Sequence, residues 1–388
     1  MTIKGEVRVT MVQQAQLDQW LGRLVQIPSV SPDQAGPRAG VPGEARLAAE
    51  VANWFRQFGG EVYTEDVLPG RPNVYGLWRG QTDRWLAVDV HLDTVSVEQM
   101  TGAPFSGHVE NGRVYGRGAV DTKASLAIVL ALLADLHQSG RKPATNLLIA
   151  ATVDEEVGAT GAPAAAHWIR QRQLPIDQLI VAEPTLCTPI HGHKGVARLE
   201  FQIQGKSAHS SQPTRGQNAV VAAAYLVIAL QEEHERLQAL SPTELGNPML
   251  TVTIIQGGTG INVVPDACTI SVDRRLVNGE KAVEVCIELH KLALIACPLP
   301  LTMRTQKEID AFFQTPDSPW LRQLTEWSGN APEVAPYGTN AWAYTDVVKE
   351  CVVFGPGSID QAHGAEEWVA LDELEKAASI YARWWGIE

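Results

Sequence analysis

Three short apolar runs in the sequence each end at side chains of the kind that bind divalent cations. Leu86 to Val90 runs into His91-Leu92-Asp93, Leu147 to Val153 into Asp154-Glu155-Glu156, and Leu179 to Ala182 into Glu183-Pro184-Thr185. Asp121 closes the segment Gly116-Arg117-Gly118-Ala119-Val120-Asp121 directly before a helical pattern, and His363 follows an apolar run and the turn Gly355-Pro356-Gly357. Two histidines and several carboxylates without cysteine suit one or two divalent ions, zinc first, with cobalt or manganese as alternatives. Two ions ~3.5 to 4 Å apart need one shared carboxylate and ligands on either side. Asp121 suits the bridge, His91 and Glu183 one ion, Glu156 and His363 the other. Glu155, next to a ligand but not needed as one, is then available as general base toward a water. Asp93 can accept the second N–H of the His91 ring and fix its tautomer. Singly, each strand-end carboxylate is more often a helix cap or a solvated group; the conjunction is what points to a site.

These residues are far apart in sequence, so the fold must gather them. Short, almost continuously apolar runs suit strands covered on both faces, as in a mostly parallel α/β sheet, and such sheets bind ligands at the carboxyl ends of their strands. Leu17, Trp20, Leu21, Leu24 and Val25, then Leu47, Val51, Trp54, Phe55 and Phe58, recur at helical spacing, and a further helix starts near Thr122. From about His193 the pattern becomes strand (to Gln204), helix (Gln217 to Glu235), strands (Met249 to Gln256, Ala267 to Arg274), helix (Glu280 to Ala296) and strand (Leu301 to Gln306). That βαββαβ order predicts an α+β domain inserted into the larger one. The expected division is residues 1–192 and 307–388 for the catalytic domain and 193–306 for the insert.

Composition narrows the partners. The 388 residues are 45% hydrophobic and 19% charged, which is a folded chain of about two domains at ~150 residues each. A net charge of −13 disfavours nonspecific binding to nucleic acid or anionic lipid. The longest apolar run, Ala219 to Leu230, falls short of the ~18 residues of a membrane span. The opening Met1-Thr-Ile-Lys-Gly-Glu has no apolar leader segment. Cys187, Cys268, Cys286, Cys297 and Cys351 are odd in number and contain no CxxC, arguing against a disulfide framework or a thiolate zinc site and for a cytoplasmic protein. Gly257-Gly258-Thr259-Gly260 lacks the lysine of a phosphate loop, and Gly116 to Gly118 is only a GxG.

The segments HLD at 91, GRGAVDTK at 116, VDEE at 153, EPT at 183, KSAHSSQPTRGQNAV at 206 and GPGSIDQAH at 355 resemble the co-catalytic zinc deacylase and carboxypeptidase family, in order and spacing, from His91 to His363. The resemblance implies a dinuclear zinc amidohydrolase with ligands His91, Asp121, Glu156, Glu183 and His363, base Glu155, and a cis peptide after Asp121. It implies that the insert is a lid through which two copies dimerise. His209 would reach the partner's site and stabilise an oxyanion, Asn262 would bind substrate, and Arg275, with Arg274 as the competing choice, would hold a substrate carboxylate. Among family activities, removal of acetate from acetylornithine is favoured. Gly338-Thr339-Asn340-Ala341 stands where an acid is expected at 340, which leaves acetylcitrulline, succinyl-diaminopimelate or a small peptide as alternative substrates. An inert ligand-binding relative is the alternative of a different class.

Overall fold

The three runs that end at candidate ligands are neighbouring parallel strands. In the computed structural model, which describes residues 14–387, Trp85–His91 lies between Asn146–Thr152 and Ile176–Val181 and parallel to both, and Val348–Val353 continues the parallel set. All residues of Trp85–His91 and Asn146–Thr152 are buried, so a continuous apolar run, not an alternating one, marks each strand. His91 is in register with Thr152, and Asp89 with Val181. The strands therefore finish level, and the polar residues after them emerge at one end of the sheet. The opening Met1-Thr-Ile-Lys-Gly-Glu, read above as lacking a leader, lies outside the described residues.

Helix Lys123–Ser139 is buried along nearly its whole length. It shares one apolar core with Gln14–Val25, Ala45–Gln57, Leu371–Trp385 and the strands. Each Leu or Ile so enclosed contributes ~1.5–3 kcal/mol relative to exposure. The peptide between Asp121 and Thr122, just before this helix, is cis.

An antiparallel hairpin, Glu61–Leu68 with Arg71–Trp78, joins the sheet beside Asn146–Thr152. The sequence reading of apolar runs misses it: Glu61–Leu68 is at most half-buried and carries acids, and the second strand opens with the polar Arg71 and Asn73. Both polar groups are buried, and they matter below. His191 and His193 are buried in the strand Ile190–His193.

Two compact units divide the chain. One runs to His191 and adds Gln314–Glu333 and Thr339 onward; the other comprises Gly192–Phe313 with Val334–Gly338. The second unit holds a four-stranded antiparallel sheet in the order Met249–Gly257, Ala267–Leu276, Gly195–Gln204, Leu301–Ile309. Helices Ala219–Gln238 and Ala282–Ala296 pack with it into a separate core. A boundary at 306 would cut the last strand, whose half-buried and exposed positions alternate through Ile309. No helix among the described residues is long and apolar enough to cross a membrane, and all five cysteines are free and buried.

Candidate metal centre

At the strand ends two groups of side chains stand close enough to share an ion: His91, Asp121 and Glu183, and Asp121, Glu156 and His363, with one ligand atom from each residue within 4.8 Å of the others in its group. Asp121 belongs to both. Its Oδ1 is 3.0 Å from His91 Nε2 and its Oδ2 is 3.3 Å from His363 Nε2, and His363 Nε2 is 3.1 Å from Glu156 Oε2. Two donors of one tetrahedral zinc, each ~2.1 Å from the ion, stand roughly 3.4 Å apart, so little movement separates these spacings from ligation.

The charges of the group also ask for a cation. Burial, with the Glu156, Asp93 and Asp121 carboxylates, pushes Glu155 up to about 8 against the pull of His91. Burial and Asp121 push Glu156 up to about 7. Glu183 is held well above the carboxylate range by burial and by Asp121 and Glu155. Conversely, hydrogen bonds to Asp121 and Glu156 raise His363 to about 10, and His91 is raised, against burial, by Asp121 and Asp93. Carboxylates that raise one another in a buried cluster are relieved by a divalent ion, which reverses the sign of the local field. The donor set is oxygen and imidazole without thiolate, which suits zinc and also cobalt or manganese.

The backbone builds this cluster by close approaches. Gly355 lies against Glu183: a Cβ there would meet the Glu183 carbonyl oxygen at 2.5 Å. Thr122 Oγ1 donates to the Ala182 carbonyl at 3.2 Å, tying the start of the buried helix to the strand end that carries Glu183.

Asp93 is placed differently from the sequence expectation. The nearer partner of His91 Nδ1 is the Asp93 backbone carbonyl at 3.0 Å, and the carboxylate is 3.6 Å away. The carboxylate instead accepts the backbone N–H groups of Glu155 at 3.0 Å and Glu156 at 3.1 Å. A backbone oxygen fixes the ring tautomer as well as a carboxylate does, and the carboxylate is thereby free to cap the turn that carries the candidate base.

Asn340 is buried, and its Nδ2 donates to Thr152 Oγ1 at 3.3 Å. Thr152 in turn donates to Asp89 Oδ1 at 2.6 Å. An acid at 340 would add a second carboxylate beside Asp89, which burial already pushes up to about 6.

The sequence reading also misses Glu367, four residues past His363. Its Oε1 accepts the N–H groups of Val120 and Asp121, and its Oε2 pairs with Arg117 at 2.7 Å. The arginine inside GRGAVD was the available signal, since a charge flanked by glycines before a buried helix needs a counter-ion.

In the second unit, the ribbon pairing Ala208–His209 with Val263–Val264 sets His209 opposite Val263, beside Asn262. Both side chains are exposed. Ser211 donates its N–H to His209 Nδ1 at 3.2 Å, which makes Nδ1 an acceptor and leaves Nε2 as the ring's donor. Arg274 is buried and bound to Glu280 and to the Arg275 carbonyl. Arg275 pairs with Asp273 at 2.7 Å and lines a cavity of about 430 Å³ with Lys194, Leu245, Met249 and Val334 to Pro336. Arg274 lines a smaller cavity, of about 200 Å³, in which Glu280 already holds its guanidinium. Arg275 and Asn262 flank opposite ends of the strand Ala267–Leu276; eight residues of strand, from 267 to 275, span about 26 Å.

A mostly parallel sheet with two linked ligand groups at its carboxyl edge defines an α/β protein with a candidate site for two divalent ions. The chain belongs to Peptidase family M20/M25/M40, whose model matches residues 87–386. It is 34% identical to the acetylornithine deacetylase of Myxococcus xanthus over 293 residues, 71% of this chain and 72% of that protein. The M20 metallo-carboxypeptidase of Sulfolobus solfataricus shares the fold with a TM-score of 0.75 at 19% identity, covering 96% of this chain and 99% of that one. A dinuclear metal-binding M20 peptidase of Bacillus subtilis does so with a TM-score of 0.70 at 17% identity, covering 96% and 98%.

Proposed function

We propose that the protein hydrolyses the amide bond of an N-acyl amino acid in the cytoplasm, with acetylornithine the favoured substrate, as a homodimer that uses two divalent ions, zinc in the first instance. The observation that carries this reading is Asp121, whose two carboxylate oxygens face two different histidines. His91, Asp121 and Glu183 would hold one ion and Asp121, Glu156 and His363 the other. When bound, such a pair supplies a Lewis acid for the acyl oxygen and lowers the pKa of a water to ~7. Glu155 would accept the proton of the water that adds to the acyl carbon. It returns the proton to the amine nitrogen as the C–N bond breaks, giving acetate and the free amino acid. His209 Nε2–H donates to the oxyanion, Asn262 contacts the substrate, and Arg275 pairs with its carboxylate, bidentate geometry favouring arginine there.

The dimer reading is supported within the second unit. Met249–Gly257 is an edge strand with Ile254 and Ile255 exposed, and Val221, Tyr225 and Ile228 line an exposed face of Ala219–Gln238. An open edge beside an apolar helix face suits a two-fold interface.

The test is release of acetate from a panel of N-acyl amino acids. Acetylornithine is expected to turn over, with activity lost on chelation and regained with zinc or cobalt. Faster turnover of acetylcitrulline, succinyl-diaminopimelate or a dipeptide would reassign the substrate, and no turnover of any of them by metal-loaded protein would overturn the enzyme reading in favour of an inert binder. Asp121→Ala is expected to bind at most one ion per chain where the unaltered protein binds two, read by metal analysis after dialysis, because the remaining ligands cannot serve both positions.

A further inference from the structure

We propose that Arg71, held by Glu44, is a positioning residue that sets the backbone of Asp154 and through it the aim of Glu155; this rests on the reading of Glu155 as the base. Arg71 Nε and Nη2 grip the two Glu44 carboxylate oxygens at 2.7 Å each, and Nη1 stands 3.1 Å from Asp154 Oδ1. Glu44 Oε1 also accepts the Asp154 N–H at 3.1 Å. All three residues are buried. The network thus converges on both the side chain and the backbone of the one residue that precedes Glu155.

Asp154 itself adopts a left-handed conformation, φ 63°, which only a few non-glycine residues, Asp among them, take up readily. It holds the loop that follows: Thr160 Oγ1 donates to its Oδ2 at 2.7 Å, and the Ala159 N–H donates to its carbonyl at 2.6 Å. Asn73, two residues beyond Arg71, accepts the Val153 N–H at 3.0 Å and donates to the Gly161 carbonyl at 2.8 Å. The start of the Arg71–Trp78 strand therefore grips the loop at 153, 154 and 161. With Asp93 on the N–H groups of Glu155 and Glu156, the turn carrying the base is fixed from two sides. A pair serving only to join the hairpin to a helix would need no bond to residue 154. A lysine at 71 has no planar fork, so it loses the parallel two-point grip on Glu44 that leaves Nη1 for Asp154.

Gly158 offers an independent way to disturb the same clamp. A methyl group there would lie 2.2 Å from Asp154 Oδ2, displacing the carboxylate while leaving every charge of the network in the chain. Arg71→Lys and Gly158→Ala should be compared with the unaltered, metal-loaded enzyme. In both variants kcat is expected to fall on the order of 10- to 100-fold, because a misplacement near 1 Å at a reacting group costs about that. KM and bound metal should stay unchanged, and backbone amide exchange should quicken in residues 153–160 but not in 195–204. Unchanged kcat with unchanged exchange in both variants overturns the proposal, as does a rise in KM alone or exchange quickened throughout the chain. If Arg71→Lys does not fold, Gly158→Ala decides. An unaltered, metal-loaded enzyme without turnover on any N-acyl amino acid or dipeptide refutes the enzyme reading, and with it the base, and the exchange measurement then decides the clamp by itself.

Discussion

Replacing Glu155 by alanine is expected to lower kcat by roughly 10²- to 10⁴-fold, the usual contribution of a positioned acid–base group, with metal content and fold retained. The fold should survive because the bond that anchors this residue is made by its backbone N–H to Asp93, which alanine keeps. Metal content should survive because Glu155 belongs to neither ligand group, whereas its neighbour Glu156 belongs to one. The pair makes a sharp internal control. Glu156→Ala removes a group 3.1 Å from His363 and should lose the ion on that side, so metal analysis of the two variants separates base from ligand. Loss of metal from the Glu155 variant with retention in the Glu156 variant would reverse the assignment. The kinetic signature expected of Glu155→Ala is a fall in kcat and kcat/KM together, since the proton is in transit only in the transition state.

The residues of the candidate centre were legible in the sequence because parallel strands buried on both faces read as unbroken apolar runs, and a charged residue at the end of such a run has nowhere to be but the sheet edge. His91, Glu156 and Glu183 are all found this way. The insert was legible for a related reason: alternation in Gly195–Gln204 and Leu301–Ile309 and helical spacing between them announce each element locally. What stayed hidden is what acts across the sequence. Glu44, Arg71 and Asp154 form one ion network although 27 residues separate the first two and 110 separate Glu44 from Asp154. A lone acid on a helix start and a lone arginine at a strand start look like surface groups until the fold buries them together. Glu367 on the Asp121 N–H is hidden in the same way, 246 residues away. Asp93 shows the subtler limit. Its residue type announced a partner for His91, but its backbone oxygen takes that bond and its carboxylate turns to Glu155 and Glu156.

The second unit poses a geometric problem that the dimer proposal answers. Arg275 lies near one end of the strand Ala267–Leu276 and the His209–Asn262 ribbon precedes its other end, with about 26 Å of strand between residues 267 and 275 at 3.3 Å per residue. An N-acyl amino acid is far shorter than that, so one substrate cannot touch both ends of that strand. If both ends are used, they serve different substrates, and the second must belong to another copy of the chain. A two-fold arrangement would let each chain give Arg275 to one site and His209 with Asn262 to the other.

His209→Ala is accordingly expected to lower kcat by roughly 10²- to 10³-fold, the worth of one oxyanion donor, with metal content unchanged. The decisive form of the experiment mixes it with Glu155→Ala. Each variant alone is nearly inactive, but a mixed dimer contains one site with Glu155 from one chain and His209 from the other. Random pairing of equal amounts makes half the dimers mixed, and half the sites in those are complete, so about one quarter of the unaltered activity should return on this two-fold scheme. Native mass spectrometry first establishes that subunits have exchanged. The recovered fraction should then follow the fraction of mixed dimers as the mixing ratio is changed, reaching its maximum at equal amounts. Mixed dimers present with no recovered turnover would refute the shared site. His209 would then act within its own chain or stand outside the reaction, and Arg275, at the far end of the strand, would have to be judged separately by its effect on KM.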